Sequence, residues 1–399
     1  MQSTTPSSPS PAVSVPPGSL MAAFATIPDP RRKASVIYPL PALLASVVVA
    51  LLCAHTSVLA VAEWGARQGR ELREQLGMPP DRAPHQTTIH RLLATLDARA
   101  LATALRTAFP GVVPEQRGEQ GVAVDGKAHR GRHQFAEESG SPVDILTAFC
   151  HELNLILAEE PIEQGQDQAE AELSVAPTLI EQIDWTNRVL TAGTRLRVSL
   201  FCQRTLCQQV LDRHGDYLLL VKGNHPTLHD QLRRIFDVEA RPLLDRREVG
   251  TITKGHGRIE VRQLIATADP LALPDWPGVA QVFQLTRQWK AHEEWHQQVR
   301  YGITSLPPVI GTPRRLLQCR RGHWRIENRG HRAKDVNLGE DACLVHRRHG
   351  PLVLALLRGA GLNLLRQAGC TRIAATLRAS AQDPAGAVAL VLQSPPTRA

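Results

Sequence analysis

Between residues 121 and 237 the sequence alternates between short apolar segments and helical segments, and this alternation restricts the fold more than any other feature. The short segments are rich in β-branched and aliphatic residues and end at polar turns, as strands do. The longer segments carry apolar residues at helical spacing. A hairpin followed by strands that alternate with helices predicts a mixed α/β sheet covered on its faces. The predicted strands are 121–125, 142–150, 153–162, 188–192 and 216–224, and the predicted helices are 166–183, 201–213 and 227–237.

The flanking segments divide the chain further. Residues 1–20 are rich in Ser, Thr and Pro and carry no charged side chain, which predicts a disordered leader. Residues 21–115 have helical spacing and predict a small helical domain. The sheet-containing domain is predicted at 119–345, with an inserted β region at about 243–306 and a helix at 315–336, and a helical tail at 346–399 completes the chain.

The chain is basic, with a formal net charge of +8 and a pI of about 9.4, which favours a polyanionic partner such as nucleic acid. Its seven cysteines include no C-x-x-C pair, as is typical of reduced thiols in a cytoplasm.

One apolar stretch, residues 42–62, approaches the ~20 residues that span a bilayer. His55 and Thr56 interrupt it, and Pro39 and Pro41 open it as they would open a buried helix. We therefore favour a core helix and no membrane association, with a single-span membrane protein as the alternative.

Asp125 follows an apolar strand and precedes a glycine, so its carboxylate is expected at the tip of a strand. Mg²⁺ prefers oxygen ligands held in this way, with substrate phosphate completing the coordination shell. Lys127 and Arg130 follow closely and can face phosphates. An ordinary Asp-Gly turn explains the same residues without a ligand, so both interpretations stay open.

Glu327 is the central carboxylate of a strongly basic helical segment, RGHWRIENRGHRAK. Arg321, Arg325 and Arg329 surround it in sequence, and a carboxylate among basic residues can simply form i,i+4 ion pairs on a solvated face. The alternative is a metal ligand within a phosphate-binding surface.

Lys222, in the turn VKGN, is a weaker candidate for phosphate contact, since a strand-end turn explains it equally well. The histidines at 323, 331, 346 and 349 lack the paired cysteines and the spacing of a zinc site.

Five motifs, in this order, resemble the transposases of bacterial insertion sequences, specifically the ISAs-type or H-repeat-associated group. They are IPDPRR with YPLPALLA, the first-aspartate motif VAVDGKAHRG, DYLLLVKGNHPTL, KGHGRIEVR, and the glutamate motif GHWRIEN followed by KDV and GED. The resemblance covers nearly the whole chain after the leader.

The resemblance implies a ribonuclease-H-like catalytic core with a β insertion, and an Asp-Asp-Glu triad that holds two Mg²⁺ ions, with Mn²⁺ as a substitute. By motif, Asp125 is the first catalytic residue and metal ligand, and Glu327 is the last. In related transposases the glutamate motif extends to a Tyr, an Arg and a Lys, whose places Arg320, His323 and Lys334 occupy here. The predicted DNA-binding residues are Lys127, Arg130, Lys222, Arg321, His323, Arg325, Arg329 and Lys334.

The second aspartate of the triad is absent. The group has a sequence like Thr-Ala-Asp-Ala-Leu, whereas this chain has TAGTRLRVSLFCQ, with Gly193 near the expected position. Because two metal ions need several anionic ligands, we expect impaired catalysis. The segment 193–199 is consistent with a short frameshift in the gene, since Asp-Ala in its place restores the pattern.

The implied partner is double-stranded DNA, both element ends and target, in the bacterial cytoplasm in association with the nucleoid. Assembly of a homo-oligomer on DNA is compatible with this function. Two functions stay open, a DNA-transposing enzyme and a catalytically inactive DNA-binding remnant of one.

Overall fold

The structure is a computed structural model of the chain. It divides into two compact units, which are described separately: a helical unit of residues 18–109 and 333–393, and a sheet unit of the described residues from 110 to 332. The residues that the structure describes are 18–128, 144–162, 168–192, 201–237, 243–255, 258–269, 271, 273–291 and 294–393.

The described N-terminal part of the helical unit contains six α-helices, several of which begin at a capping side chain. Ser19, Ser57 and Asp97 each accept a hydrogen bond from a backbone amide in the first turn of a helix, which satisfies donors that the helix cannot pair internally. The helices are α1 (Leu20–Ala25), α2 (Leu40–Leu52), α3 (Val58–Arg67), α4 (Arg70–Gln75), α5 (Gln86–Thr95) and α6 (Ala98–Ala108).

The apolar stretch 42–62 forms two helices and not one. Helix α2 is buried along almost its whole length, the chain turns at Ala54 with a φ of 64°, and Ser57 starts α3. Within the described part of the chain, every helix is too short or too polar to cross a bilayer. Helix α2 is therefore the buried core helix that the sequence predicts.

The sheet unit is built on one nine-stranded sheet with the order β3-β2-β1-β4-β5-β9-β8-β7-β6. Strand β1 pairs in parallel with β4, and β4 with β5, while the remaining pairs are antiparallel. The mixed sheet that the sequence predicts is confirmed. The strands are β1 (Gln120–Ala128), β2 (Asp144–Cys150), β3 (Leu155–Ile162), β4 (Arg188–Ala192), β5 (Asp216–Val221), β6 (Arg247–Gly255), β7 (Arg258–Thr267), β8 (Gln281–Ala291) and β9 (Glu294–Thr304).

The inserted β region is a meander of four long strands, β6 to β9, close to the predicted bounds of 243–306. Strand β9 also pairs with β5, from Leu218↔Thr304 to Val221↔Tyr301, so the insertion extends the central sheet. Both parts of the sheet therefore share continuous faces.

Four helices cover the sheet. On one face, α7 (Gln168–Glu181), α8 (Arg204–Leu211) and α9 (Pro226–Ile235) bury apolar residues against the strands. On the other face, α10 (Pro313–Gly322) packs Leu316 and Leu317 against Leu218 of β5 and Leu264 of β7. Helix α10 thus spans the junction between the central strands and the insertion.

The helix predicted at 315–336 is divided into three parts. Helix α10 ends at Gly322, a π-helix covers Ile326–His331, and α11 (Arg332–Leu338) follows. The chain passes from the sheet unit to the helical unit within α11. Apolar periodicity misses this division because all three parts keep a buried side.

Three further helices complete the helical unit: α12 (Gly350–Gln367), α13 (Ile373–Gln382) and α14 (Ala385–Leu392). Helix α12 packs against α2, α5 and α6. The buried Arg358 donates hydrogen bonds to the carbonyls of Leu338 (2.9 Å) and Thr56 (3.1 Å), and so joins early and late segments. The segment predicted as a separate tail, 346–399, therefore contributes its described helices to the same core as the N-terminal helices.

A buried ion pair lies between α11 and the turn that follows it. The ammonium of Lys334 is 3.7 Å from Oε1 of Glu340, and their side chains are 1% and 0% exposed. Glu340 belongs to the GED motif, so the structure gives that carboxylate a packing role in the helical unit.

We expect Lys334→Met to lower the free energy of unfolding by about 3–5 kcal/mol, because it leaves the carboxylate of Glu340 buried without its cation. Adding Glu340→Leu should recover most of the loss. Urea unfolding followed by circular dichroism measures both effects. The exposed pair Glu63–Arg67 is the matched control, and Arg67→Met should change stability by less than about 1 kcal/mol. Equal effects in the two pairs would contradict the role assigned to Lys334.

Candidate active site

Strand β1 carries Asp125 on the sheet face that α10 and the π-helix cover. Ala123 packs against Phe149 and Ile326 on this face, and alternation along the strand places Asp125 on the same side. The side chain of Asp125 is 19% exposed. Lys127 follows two residues later and is buried. Asp125 therefore lies partly shielded at the edge of a small apolar cluster.

Glu327 reaches the same site from the π-helix. Burial and the charge of Asp125 raise the pKa of Glu327, whereas the nearby Arg320 guanidinium lowers it. Glu327 keeps contact with solvent, and the preceding Ile326 anchors the π-helix in the apolar cluster. Single π-helical turns are rare in proteins, and those that occur often lie at functional sites. The structure thus brings together the two carboxylates that the motifs single out.

His331 is a third member of this site that the sequence analysis did not assign. Its Nε2 atom lies 3.6 Å from Oδ2 of Asp125, and the residue is 9% exposed. It follows Glu327 by four residues in a helical segment, so the spacing alone placed it on the same side of the helix. His331 therefore lies next to the carboxylate of Asp125 without a hydrogen bond to it.

The second carboxylate of the triad was expected after β4. In the parallel pairing of β1 and β4, Ala192 lies opposite Val124, the residue before Asp125. The next residue in sequence, Gly193, lies outside the described residues, as does the rest of 193–200. Within the described ranges, no group of three or more His, Cys, Asp and Glu side chains could hold a metal ion.

Glu159 is the carboxylate in the described strands that comes nearest to replacing the missing one. The register Asp125↔Thr147↔Glu159 puts all three residues on one face. Glu159 is two strands from Asp125, roughly 10 Å at the usual strand spacing. It is buried and accepts a hydrogen bond of 3.4 Å from Thr147. Glu159 is therefore held away from the Asp125 carboxylate.

Asp216, at the start of β5, has a structural role. Its buried carboxylate accepts two hydrogen bonds from Arg117, of 2.8 and 2.9 Å, and one of 2.8 Å from the hydroxyl of Ser305. This bidentate pair ties the segment before β1 to β5 and occupies the Asp216 carboxylate.

His323 lies in a buried hydrogen-bonded group beneath α10. The hydroxyl of Thr191 is 3.1 Å from Nε2 of His151 and 3.3 Å from Nδ1 of His323. Burial lowers the pKa of His151 to about 3 and that of His323 well below its ordinary value, so both rings are neutral. The close approach of His151 requires glycine at Gly121 and Gly322. His323 thus supports the packing of α10 on the sheet and does not face solvent.

The remaining predicted DNA-binding residues differ in their exposure to solvent. Arg321, Arg325 and Arg329 are exposed, and Arg325 also donates a 2.6 Å hydrogen bond to the carbonyl of His151. Burial together with the charges of nearby arginines lowers the pKa of Lys222 to about 8. Arg130 lies outside the described residues, and Lys334 is buried with Glu340 in the helical unit.

Two segments of this sequence match known protein families. Residues 21–108 match the family described as DDE_Tnp_1-associated, and residues 116–364 match the family described as Transposase DDE domain. The DDE domain has a ribonuclease-H-like fold, as the resemblance implied.

Several relatives carry transposase names. "Putative transposase YncI" of Escherichia coli O157:H7 is 25% identical over 357 residues, which is 87% of each chain. "H repeat-associated putative transposase YhhI" of Escherichia coli K12 is 26% identical over 255 residues, 61% of this chain and 63% of the relative. A protein of Xanthobacter autotrophicus, "Uncharacterized protein in dhlA 3'region", is 27% identical over 294 residues, 71% of this chain and 92% of the relative. With the DDE domain matched over more than half of its length and two carboxylates gathered beside β1, this chain belongs to the DDE transposase family.

Proposed function

We propose that this protein binds double-stranded DNA, at element ends and at the target, and that its fold supports metal-dependent cleavage and transfer of DNA strands. The observation that carries the proposal is the packing of the π-helix on β1, where Ile326 contacts Ala123 and His331 lies 3.6 Å from Asp125, so that Glu327 is brought near Asp125. A merely solvated Glu327 on a basic helix has no reason to lie beside a second carboxylate.

The two carboxylates suit a hard divalent cation. Burial and, second, the charge of Asp125 raise the pKa of Glu327, and a cation held by the two carboxylates would offset both effects. Both are oxygen donors of the kind that Mg²⁺ and Mn²⁺ prefer. A bound cation would supply Lewis acidity at the phosphate under attack.

The chain's own residues have distinct proposed roles. Asp125 and Glu327 hold the cation, and His331 places an imidazole 3.6 Å from Asp125. The exposed Arg321, Arg325 and Arg329 bind DNA phosphates, together with the half-buried Lys222, whereas the predicted Lys127 is buried.

Impaired catalysis is part of the proposal. Gly193 stands where the family pattern has aspartate, and among the described residues no group of three His, Cys, Asp or Glu side chains is placed to hold a metal ion. A catalytically inactive, DNA-binding remnant is therefore the second candidate function. The two candidates differ in cleavage and agree in DNA binding.

We expect binding to a duplex of mixed sequence to weaken steeply with salt. Each phosphate contact contributes about −0.9 to the slope of log affinity against log salt, so Arg321→Gln, Arg325→Gln and Arg329→Gln together should flatten the slope by about 2–3. Fluorescence anisotropy over a salt series measures it.

The matched control for this triple variant changes three arginines that are already ion-paired elsewhere in the sheet unit, Arg213, Arg233 and Arg234. The control should leave the slope nearly unchanged. A slope that responds equally to both triple variants would show that the DNA does not use the surface next to Glu327.

The natural chain should show little or no strand cleavage, because no carboxylate follows Ala192 at the end of β4. Replacing residues 193–199 by Asp-Ala restores the pattern TADALFCQ and should produce Mg²⁺-dependent nicking of a plasmid that carries the DNA flanking the gene. Asp125→Asn or Glu327→Gln should then abolish it.

The control for the repair replaces the same residues by Asn-Ala, which has the same length and lacks only the charge. Nicking by the Asp-Ala chain alone supports the missing-ligand hypothesis. Robust nicking by the natural chain would refute it, and equal nicking by the Asp-Ala and Asn-Ala chains would show that length matters and the carboxylate does not.

A further inference from the structure

A pocket of about 370 Å³ opens between the inserted strands and α10. Leu285 and Leu317 form its apolar wall, and Trp324 borders it. Five arginines also line it: Arg262 of β7, Arg287 of β8, Arg300 of β9, and Arg320 and Arg321 of α10. We call it the arginine pocket.

The strand register forces these cations together. Arg262 lies directly opposite Arg287, and Arg300 lies opposite Leu285, two residues from Arg287 on the same face. Like charges directly opposite in antiparallel strands destabilise a sheet. The insertion therefore holds a charge arrangement that its own folding does not favour.

The positive charge of the pocket is only partly neutralised. Glu260 pairs with Arg262 at 2.6 Å and also with Arg287. Arg300 and Arg320 make no hydrogen bond or ion pair with any residue that the structure describes. Arg320 is also only 5% exposed. Its opposing charge is Glu327, with which it makes neither a hydrogen bond nor an ion pair, so a guanidinium this deeply buried would gain from an anion within hydrogen-bonding distance.

The ionisation of these groups agrees with the geometry. Burial and the charge of Arg300 lower the pKa of Arg320 to about 10, and burial and the charge of Arg287 lower the pKa of Arg300. Lys222 is affected by Arg300 and Arg320 in the same way. Each cation thus reduces the stability of its neighbours' charged forms.

We propose that the arginine pocket binds a phosphodiester group of the DNA strand whose neighbouring phosphate reaches Asp125 and Glu327. Planar guanidinium groups match the oxygens of a phosphate, and several can share one anion. Arg320 connects the two places, since it lines the pocket and its charge also acts on Glu327. The inserted β region is then a DNA-binding element. This inference rests on the proposed function.

The test uses Arg300→Leu in the full chain, because Arg300 has no hydrogen-bond or ion-pair partner to lose among the described residues. Affinity for a mixed-sequence duplex should fall about tenfold, as expected for one charged hydrogen-bonded contact, and the salt slope should flatten by about 0.9. Without anion, the melting temperature should rise by about 2–4 °C, because a half-buried cation that repels its neighbours has been removed. Inorganic phosphate should raise the melting temperature of the natural chain more than chloride of equal ionic strength does, and should do so much less in the variant.

Two further variants distinguish the loss of a phosphate contact from the general effect of removing an arginine and from poor folding of Arg300→Leu. Arg213→Leu removes an arginine that pairs with Glu181 outside the pocket, and should change neither the phosphate effect nor the affinity. Arg320→Met keeps the length of the buried side chain and should reproduce the loss of affinity if Arg300→Leu folds poorly.

The proposal is overturned if Arg300→Leu binds duplex as tightly as the natural chain does, whether or not the phosphate effect is lost. The proposed function would survive that result, since the natural chain would still bind DNA in a salt-dependent way. The proposed function itself would be refuted if the natural chain did not bind duplex DNA at all.

Discussion

The packing of Ile326 against Ala123 and Phe149 is the contact on which the rest of the site depends. It fixes the π-helix on β1, so that Glu327, the next residue, lies beside Asp125 although about two hundred residues separate them in sequence. The apolar cluster provides the stabilisation and the carboxylates oppose it, since their charges repel. A favourable burial of a few side chains therefore holds an arrangement that is useful only when a cation is present.

Local patterns predicted most of the strands because burial on both faces leaves a short apolar run, as in RVLTA at 188–192, which matches β4 residue for residue. Local patterns did not predict features that are determined by packing between residues distant in sequence. The division of 315–336 into α10, the π-helix and α11 cannot be read from apolar periodicity, because each part buries one side. The joining of α12 to α2 depends on shape complementarity between distant segments, and the predicted tail had no local signal for it.

The sequence likewise predicted some residues of the candidate site and missed others. Asp125 and Glu327 stand in motifs with a distinctive sequence, and the structure brings them together. His331 contributes by proximity, which sequence spacing only hints at. The arginine pocket had no linear signal, because Arg262, Arg287 and Arg300 come from three strands and become neighbours only through register. A positive net charge gives no indication of which cations face an anion.

Burial and hydrogen bonding together distinguish two roles among the buried and half-buried arginines. Arg188 and Arg358 are buried and saturated with hydrogen bonds to backbone and amide oxygens, so their charges serve the fold. Arg320 is buried and Arg300 half-buried, yet they make no such bonds with the described residues, which is the basis for the proposed phosphate site. In that proposal these arginines do not depend on the carboxylate expected near Gly193, so DNA binding does not require the residue whose loss would impair cleavage. Loss of one catalytic aspartate can therefore remove cleavage and leave the DNA-binding surface intact, and it also removes a negative charge that would repel the phosphates held there.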